Sequence, residues 1–233
     1  MLEKNGVRIA AVSYDSQELL RNFAEKHAIG FPLLSDPDSA VIRRFGIFNS
    51  NIAPGLRAYG VPHPVDYLVA PDGIVIRKYF VPNYQHRVTA SAVVLREFGD
   101  VSANAAAVTL HSGALTVEIG LSGAEAFAGQ EIGFFAKFSL NPGWHIYDST
   151  SIAFDDPKVV RQSFEFPPGP LLGGSFPALG SLLLKFPVDA GRTILSGRLS
   201  FQQCSEALCE PPETIAFELP LTIEPFMVPA PKK

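Results

Sequence analysis

Three stretches of the chain alternate apolar and polar residues with a period of two. They are Leu115, Val117 and Ile119; Ile132, Phe134, Ala136, Phe138 and Leu140; and Ile215, Phe217, Leu219, Leu221 and Ile223. In a strand, successive side chains point to opposite faces, so each run has one face to bury and one to leave in water. Gly and Pro turns separate the runs, and the pattern predicts an antiparallel two-sheet domain over residues 108–226. Thr193 to Phe201 alternates in the same way and reads as a further strand. Glu210-Pro211-Pro212 stops it from continuing, because proline removes a ladder donor and fixes φ.

Between that strand and the last run lies Phe201-Gln202-Gln203-Cys204-Ser205-Glu206-Ala207-Leu208-Cys209-Glu210-Pro211-Pro212, which holds both cysteines of the 233-residue chain. The pair therefore sits on a short excursion between two strands, and three readings of it stay open on spacing. As a staple, a closed loop of six residues removes only about 2 kcal/mol of unfolded-state entropy. As a zinc site, the pair lacks two further ligands, since there is no third cysteine and no His-x-x-x-His pattern. As a redox pair, it needs two thiols that can close and reopen a disulfide on an accessible segment, which the spacing allows.

With 47% hydrophobic and 18% charged residues, a chain of this length can bury one or two ordinary cores, and two domains are expected. The net charge of −4 is spread without a basic block, which argues against a nucleic-acid partner. The longest apolar runs fall well short of the about eighteen residues that cross a bilayer. The first fifteen residues also lack the basic, apolar, small-residue order of an export signal.

The first hundred residues read differently. Gly6 to Tyr14 form a continuous β-branched and small apolar run, expected to be a strand buried on both faces of a parallel sheet. Asp15-Ser16 cap a helix through Ala28 that carries Leu19, Leu20, Phe23 and His27, with Gly30 ending it. Phe31 to Leu34 read as a short strand, and Ser35-Asp36-Pro37-Asp38 open a helix carrying Ala40, Val41, Ile42 and Phe45. Tyr67 to Ala70, the turn Pro71-Asp72-Gly73, and Ile74 to Phe80 make a hairpin, and Arg87 to Phe98 a last helix. Gly99 to Ala107 is a linker by composition, and residues 227–233 a loose tail.

The segments VRIAAVSYDSQELLRNFAEKHAIGFPLLSDPDSAVIRRFGI and VDYLVAPDGIVIRKYF resemble the peroxiredoxin (AhpC/TSA) branch of the thioredoxin superfamily. The resemblance implies an α/β thioredoxin-like domain over residues 1–98 in which the family's first strand and helix are missing. It also makes Pro64 the candidate cis-proline. Peroxide reduction needs a cysteine thiolate, and residues 1–100 contain no cysteine. This part is therefore expected to be a scaffold or interaction element, either of a late reading frame or of a degenerate domain, with an incomplete sheet edge liable to pair with another chain.

Asn141-Pro142-Gly143-Trp144-His145-Ile146-Tyr147, together with the cysteine segment, resembles the N-terminal periplasmic domain of the thiol:disulfide interchange protein DsbD over roughly residues 105–226. The resemblance implies an immunoglobulin-like sandwich in which Cys204 and Cys209 relay electrons to a thioredoxin-like or membrane thiol-disulfide relay protein, with no cofactor and no metal. It implies an extracytoplasmic setting and site-lining roles for Trp144, His145, Tyr147 and Pro211. It further implies that Cys209 forms the mixed disulfide while Cys204 resolves it. Glu206 and Glu210 place negative charge near the pair, which disfavours the thiolate. The resemblance places an acidic and aromatic cap loop over the cysteines near Ser175 to Lys185, where this chain departs from the family pattern and reads SFPALGSLLLK. The competing readings are a binding module with a structural disulfide and a fragment of a peroxiredoxin-type antioxidant protein. Asp66 reads as a solvent-exposed turn carboxylate and His63 as a loop residue.

Overall fold

The computed structural model, which describes residues 2–80, 83 and 85–225, divides into two units, Leu2–His86 and Arg87–Lys233. In the first, a 3-10 turn (Glu3–Asn5) precedes β1 (Ala11–Ser13), α1 (Gln17–Lys26), β2 (Leu33–Ser35), α2 (Ala40–Arg44), β3 (Val65–Val69) and β4 (Val75–Phe80). β1 and β2 pair in parallel, Val12 opposite Leu34. Ser16 caps α1 by accepting the Leu19 N–H at 3.3 Å. Ala28, with φ of 50°, turns the chain two residues before Gly30. Asp36 accepts the Ile42 N–H at 2.8 Å at the start of α2. Burial acts to raise the pKa of Asp36, but the N–H groups of Ile42, Val41 and Ala40 outweigh it, so the carboxyl titrates below its ordinary value. β3 and β4 form the expected hairpin, with Gly73 at φ 86° and Asp72 Oδ1 accepting the Ile74 N–H.

The apolar run at the N-terminus departs from expectation. Only Ala11–Ser13 of it is strand, and Val12 is 42% exposed instead of buried on both faces. The physical reason is the lack of cover: among the described residues β1 has β2 as its one strand neighbour, in a sheet of two strands. Leu19, Phe23, Leu34, Phe45, Val75 and Ile76 are also exposed, while Leu20 and Ile42 are the only large apolar side chains buried among the described residues of this unit. The cis bond expected before Pro64 is also corrected. Among the described residues the cis X-Pro bond is Phe186–Pro187. The stretch leading into β3 is held instead by the Phe48–Pro62 bridge and by the His63 N–H donating to Ile47 O at 2.7 Å, an arrangement that accommodates the ordinarily favoured trans form at Pro64. Asp66 is exposed, and the His63 ring lies edge-on to Phe80.

The second unit begins with β5 (Arg87–Val88) and α3 (Ala90–Phe98), followed by β6 (Ala107–Ser112), β7 (Leu115–Leu121), β8 (Glu125–Phe127) and β9 (Gln130–Leu140). It continues through β10 (Trp144–Tyr147), β11 (Ser151–Phe154), β12 (Val159–Glu165), β13 (Leu171–Gly173), β14 (Ser175–Leu184), β15 (Gly191–Phe201), β16 (Gln203–Ser205) and β17 (Glu213–Glu224). One sheet runs β12-β14-β9-β7-β6 with β5 added along β9, and the other runs β11-β15-β17-β8. The predicted alternating residues face inward. Val117, Ile119, Phe134, Phe138, Leu195, Leu219 and Ile223 share one fully enclosed core between the sheets. A third, short sheet, β13-β10-β16, holds the cysteine segment.

The last helix of the α/β reading belongs with this sandwich rather than with the first unit, so the division falls after His86 and not after Phe98. Thr89 caps α3 by accepting the Ala92 N–H, and Gly99 ends it in the left-handed region. The helix buries Ala92, Val94 and Leu95. Its seat on β9 is close at Gly133, where a Cβ would come within 3.2 Å of the Ala92 Cα. The stretch after Gly99 is tied to the sandwich: Ser102 N–H donates to Ser122 O, and Leu121 N–H to Ala106 O. The tail assigned to residues 227–233 lies outside the described residues.

Candidate functional site

β15 and β17 form the longest ladder of the second sheet, and their pairing closes at Phe201 opposite Glu213. Residues 202–212 leave that ladder as the expected excursion. Within it the chain doubles back in a hairpin of its own: Glu210 N–H donates to Gln203 O at 3.0 Å, and Ser205 N–H donates to Leu208 O at 2.7 Å. Ser205 Oγ accepts the N–H groups of Ala207 and Leu208, which closes the turn. Cys204 and Cys209 face each other across this hairpin with Cα atoms 4.0 Å apart, joined by a disulfide. Each sulfur being bonded to the other, neither is free to ligate zinc in this state.

The two sulfurs meet different surroundings. Cys204 is 1% exposed, whereas Cys209 is exposed beside Leu208, itself 61% exposed. The difference follows from position: Cys204 lies in β16, hydrogen-bonded to β10, while Cys209 lies on the outer arm.

The aromatic segment arrives by the turn Asn141-Pro142-Gly143, where Gly143 takes φ of 81° and Trp144 N–H donates to Asn141 O. β10 then pairs with β16 so that Trp144 stands opposite Ser205, His145 opposite Cys204 and Ile146 opposite Gln203. Directly opposed residues share a face of the sheet, so the imidazole of His145 and the sulfur of Cys204 project to the same side. Trp144 is half-buried against the sandwich core. Tyr147 lies opposite Leu171 on the other side of β10 and meets the site through its edge-to-face contact with His145, 5.4 Å between centroids. Pro211 is exposed on the connection into β17. Pro64 belongs to the other unit.

The expected cap segment is a correction. Ser175–Leu184 is β14, an interior strand paired with β9 on one side and β12 on the other, and Leu182 and Leu184 are fully buried in the core. Its apolar residues are those of a core strand, Phe176 stacking on Phe138, which is why it carries no acidic residue of a cap.

Sequence reasoning missed the role of Gln203. Its side chain is 1% exposed. Oε1 accepts the Ala114 N–H at 3.0 Å, while Nε2 donates to Ser112 O at 3.2 Å and to Glu210 Oε2 at 2.6 Å. Glu210, read as a charge bearing on the sulfurs, turns its carboxylate to this amide instead, and Glu206 lies exposed on the turn. The signal was present in the period: Leu199, Phe201 and Gln203 continue the inward positions of β15, placing an amide where a hydrophobe is the rule.

The two units thus define a redoxin-type α/β segment joined to a β-sandwich with a disulfide hairpin at one end. Residues 1–78 match the AhpC/TSA family, and residues 120–221 match the family described as thiol:disulfide interchange protein DsbD, N-terminal. Peroxiredoxin Bcp of Escherichia coli (strain K12) is 38% identical over 72 residues, 31% of this chain and 46% of that protein. Peroxiredoxin Bcp of Xanthomonas campestris pv. campestris is 32% identical over 77 residues, 33% of this chain and 48% of that protein. The chain spans about half the length of these curated relatives. Among solved structures, the N-terminal periplasmic domain of ScsB from Proteus mirabilis aligns with a TM-score of 0.39 and 17% identity, covering 51% of each chain. The reduced N-terminal domain of DsbD from Neisseria meningitidis aligns with a TM-score of 0.26 and 17% identity, over 40% of this chain and 82% of that one. By the family matches and the observed sheets, the N-terminal part is thioredoxin-like of the AhpC/TSA type, and the C-terminal part is an immunoglobulin-like sandwich of the DsbD N-terminal type.

Proposed function

We propose that this protein exchanges disulfides with a dithiol partner through the Cys204–Cys209 pair, with Cys209 as the sulfur that meets the partner. The observation that carries this reading is the asymmetry of the pair, one cysteine enclosed and the other exposed on a hairpin arm beside an exposed leucine. A partner thiolate attacks Sγ of Cys209, and the bond to Cys204 breaks with its electron pair leaving on Cys204, which then takes a proton. The partner's second thiolate attacks its own sulfur in the mixed disulfide and expels Cys209 as a thiolate, which is protonated in turn. Two electrons and two protons pass to this chain, and the reverse sequence hands them on.

Two features weigh against a staple. The hairpin is already closed by backbone and side-chain hydrogen bonds on both arms. The loop closed by the disulfide is worth only about 2 kcal/mol of unfolded-state entropy, beside a sandwich core that is complete without it. The partner class that fits is a thioredoxin-like protein or a membrane thiol-disulfide relay, in an extracytoplasmic compartment where such a pair cycles without being held reduced. The first unit, which has no cysteine, serves as a scaffold or interaction element.

The test is reduction in the native state. Thioredoxin with its reductase should open the disulfide within minutes at 25 °C, with far-UV circular dichroism unchanged. Reduction that proceeds only in denaturant would leave the pair a staple and remove this reading.

A further inference from the structure

We propose that Gln203 and Glu210 form a clamp that keeps Cys204 and Cys209 within reach of each other when the disulfide is open. The proposal rests on the exchange reading above and adds to it the residues that set how readily the pair recloses. Three separate segments converge on one buried amide. The β6–β7 turn supplies Ser112 O and the Ala114 N–H, the inner arm of the hairpin supplies Gln203 itself, and the outer arm supplies the Glu210 carboxylate. The turn is shaped to admit the amide: Gly113 sits at φ 54°, and a Cβ there would overlap Gln203 Nε2. Gln202 Nε2 adds a bond to Glu210 O at 3.0 Å, so the residue after Cys209 is held by its backbone as well as by its carboxylate. Ser112 Oγ donates to Glu213 Oε2, which ties the same turn to the start of β17.

None of these bonds involves sulfur, so none is lost in the exchange. Opening the disulfide with glutathione consumes two thiols, releases one glutathione disulfide and leaves a proton on each of Cys204 and Cys209. Reclosure is intramolecular, and its equilibrium constant reports how nearly the open state already holds the two sulfurs together. With the outer arm pinned to a buried, fully bonded amide, the open state has little freedom to lose. Release of the clamp therefore makes the disulfide easier to reduce and slows resolution of a mixed disulfide at Cys209.

The experiment equilibrates the full chain with glutathione buffers, traps thiols, and compares it with Glu210→Ala, Gln203→Glu and the reciprocal double substitution Gln203→Glu with Glu210→Gln. Glu210→Ala removes a half-buried side chain from the outer arm and leaves the inner amide bonds in place. Gln203→Glu keeps the shape but sets two carboxylates against each other. Each single substitution should lower the closing equilibrium constant about tenfold, a shift of about 30 mV towards easier reduction. Each should also lengthen the life of the glutathione adduct on Cys209. The double substitution, which restores a donor against an acceptor, should bring both quantities back towards the parent. Constants within twofold of the parent in both single variants would overturn the clamp, as would a double variant no closer to the parent than the singles. Should Gln203→Glu fail to fold, Glu210→Ala decides by the same criterion. The glutathione equilibrium needs no protein partner. Failure of thioredoxin to reduce the parent chain would thus remove the exchange reading while the clamp is judged on its own constant.

Discussion

His145 and Cys204 are directly opposed across the β10–β16 ladder, so an imidazole projects to the same side of the sheet as the enclosed sulfur of the disulfide. The ring is kept in place by the edge of Tyr147. In the proposed exchange, attack on Cys209 leaves the charge on Cys204, and His145 is the residue directly opposite it in the ladder.

His145→Ala should therefore slow native-state reduction about tenfold at neutral pH, where the lost step is protonation of the departing Cys204 sulfur. Trp144, the one tryptophan of the chain and the residue opposite Ser205, is the fluorescence probe for a stopped-flow measurement. An unchanged rate would assign the histidine to packing alone.

Trapping should distinguish the two sulfurs. A thioredoxin-type protein without its resolving cysteine should form a stable mixed disulfide with the Cys204→Ser variant and little with Cys209→Ser, because Cys209 is an exposed residue and Cys204 is not. The reverse preference would exchange the assignments, and equal trapping would mean that burial does not govern which sulfur reacts.

Hydrogen peroxide should not be consumed catalytically by this chain. The AhpC/TSA-type part contains no cysteine, and both cysteines of the chain are joined at the end of the sandwich. A thiol-dependent peroxidase activity lost in Cys204→Ser or Cys209→Ser would contradict this.

Gly180→Ala should destabilise the sandwich by about 3 kcal/mol, the upper end of the usual overpacking range. Gly180 on β14 lies under the ring of Phe134, and a Cβ there would also come within 2.5 Å of the Ser163 carbonyl oxygen on β12, so neither a rotamer change nor a small side-chain shift relieves it. Urea unfolding monitored by Trp144 fluorescence measures the loss, and a change under 1 kcal/mol would show that the sheet yields at this point.

Sequence alone determined the two-part organisation, the inward residues of β7, β9 and β17, and the excursion that carries the cysteines. Those features are local: a period of two, a proline stop and a capping serine act over a few residues. It also brought Trp144 and His145 to the cysteine segment through resemblance rather than through any local rule. The tertiary structure decided the remainder. Arg87 to Phe98 read as a helix from its own residues, but the strand it packs on, β9, lies some forty residues later and meets it closely at Gly133. Gly6 to Tyr14 read as a buried strand because apolarity records a demand for cover, and only the folded chain shows that the cover is not met. The clamp was hidden for the same reason. A glutamine before a cysteine looks like any polar residue until the β6–β7 turn, about ninety positions away, supplies the partners that make its burial possible.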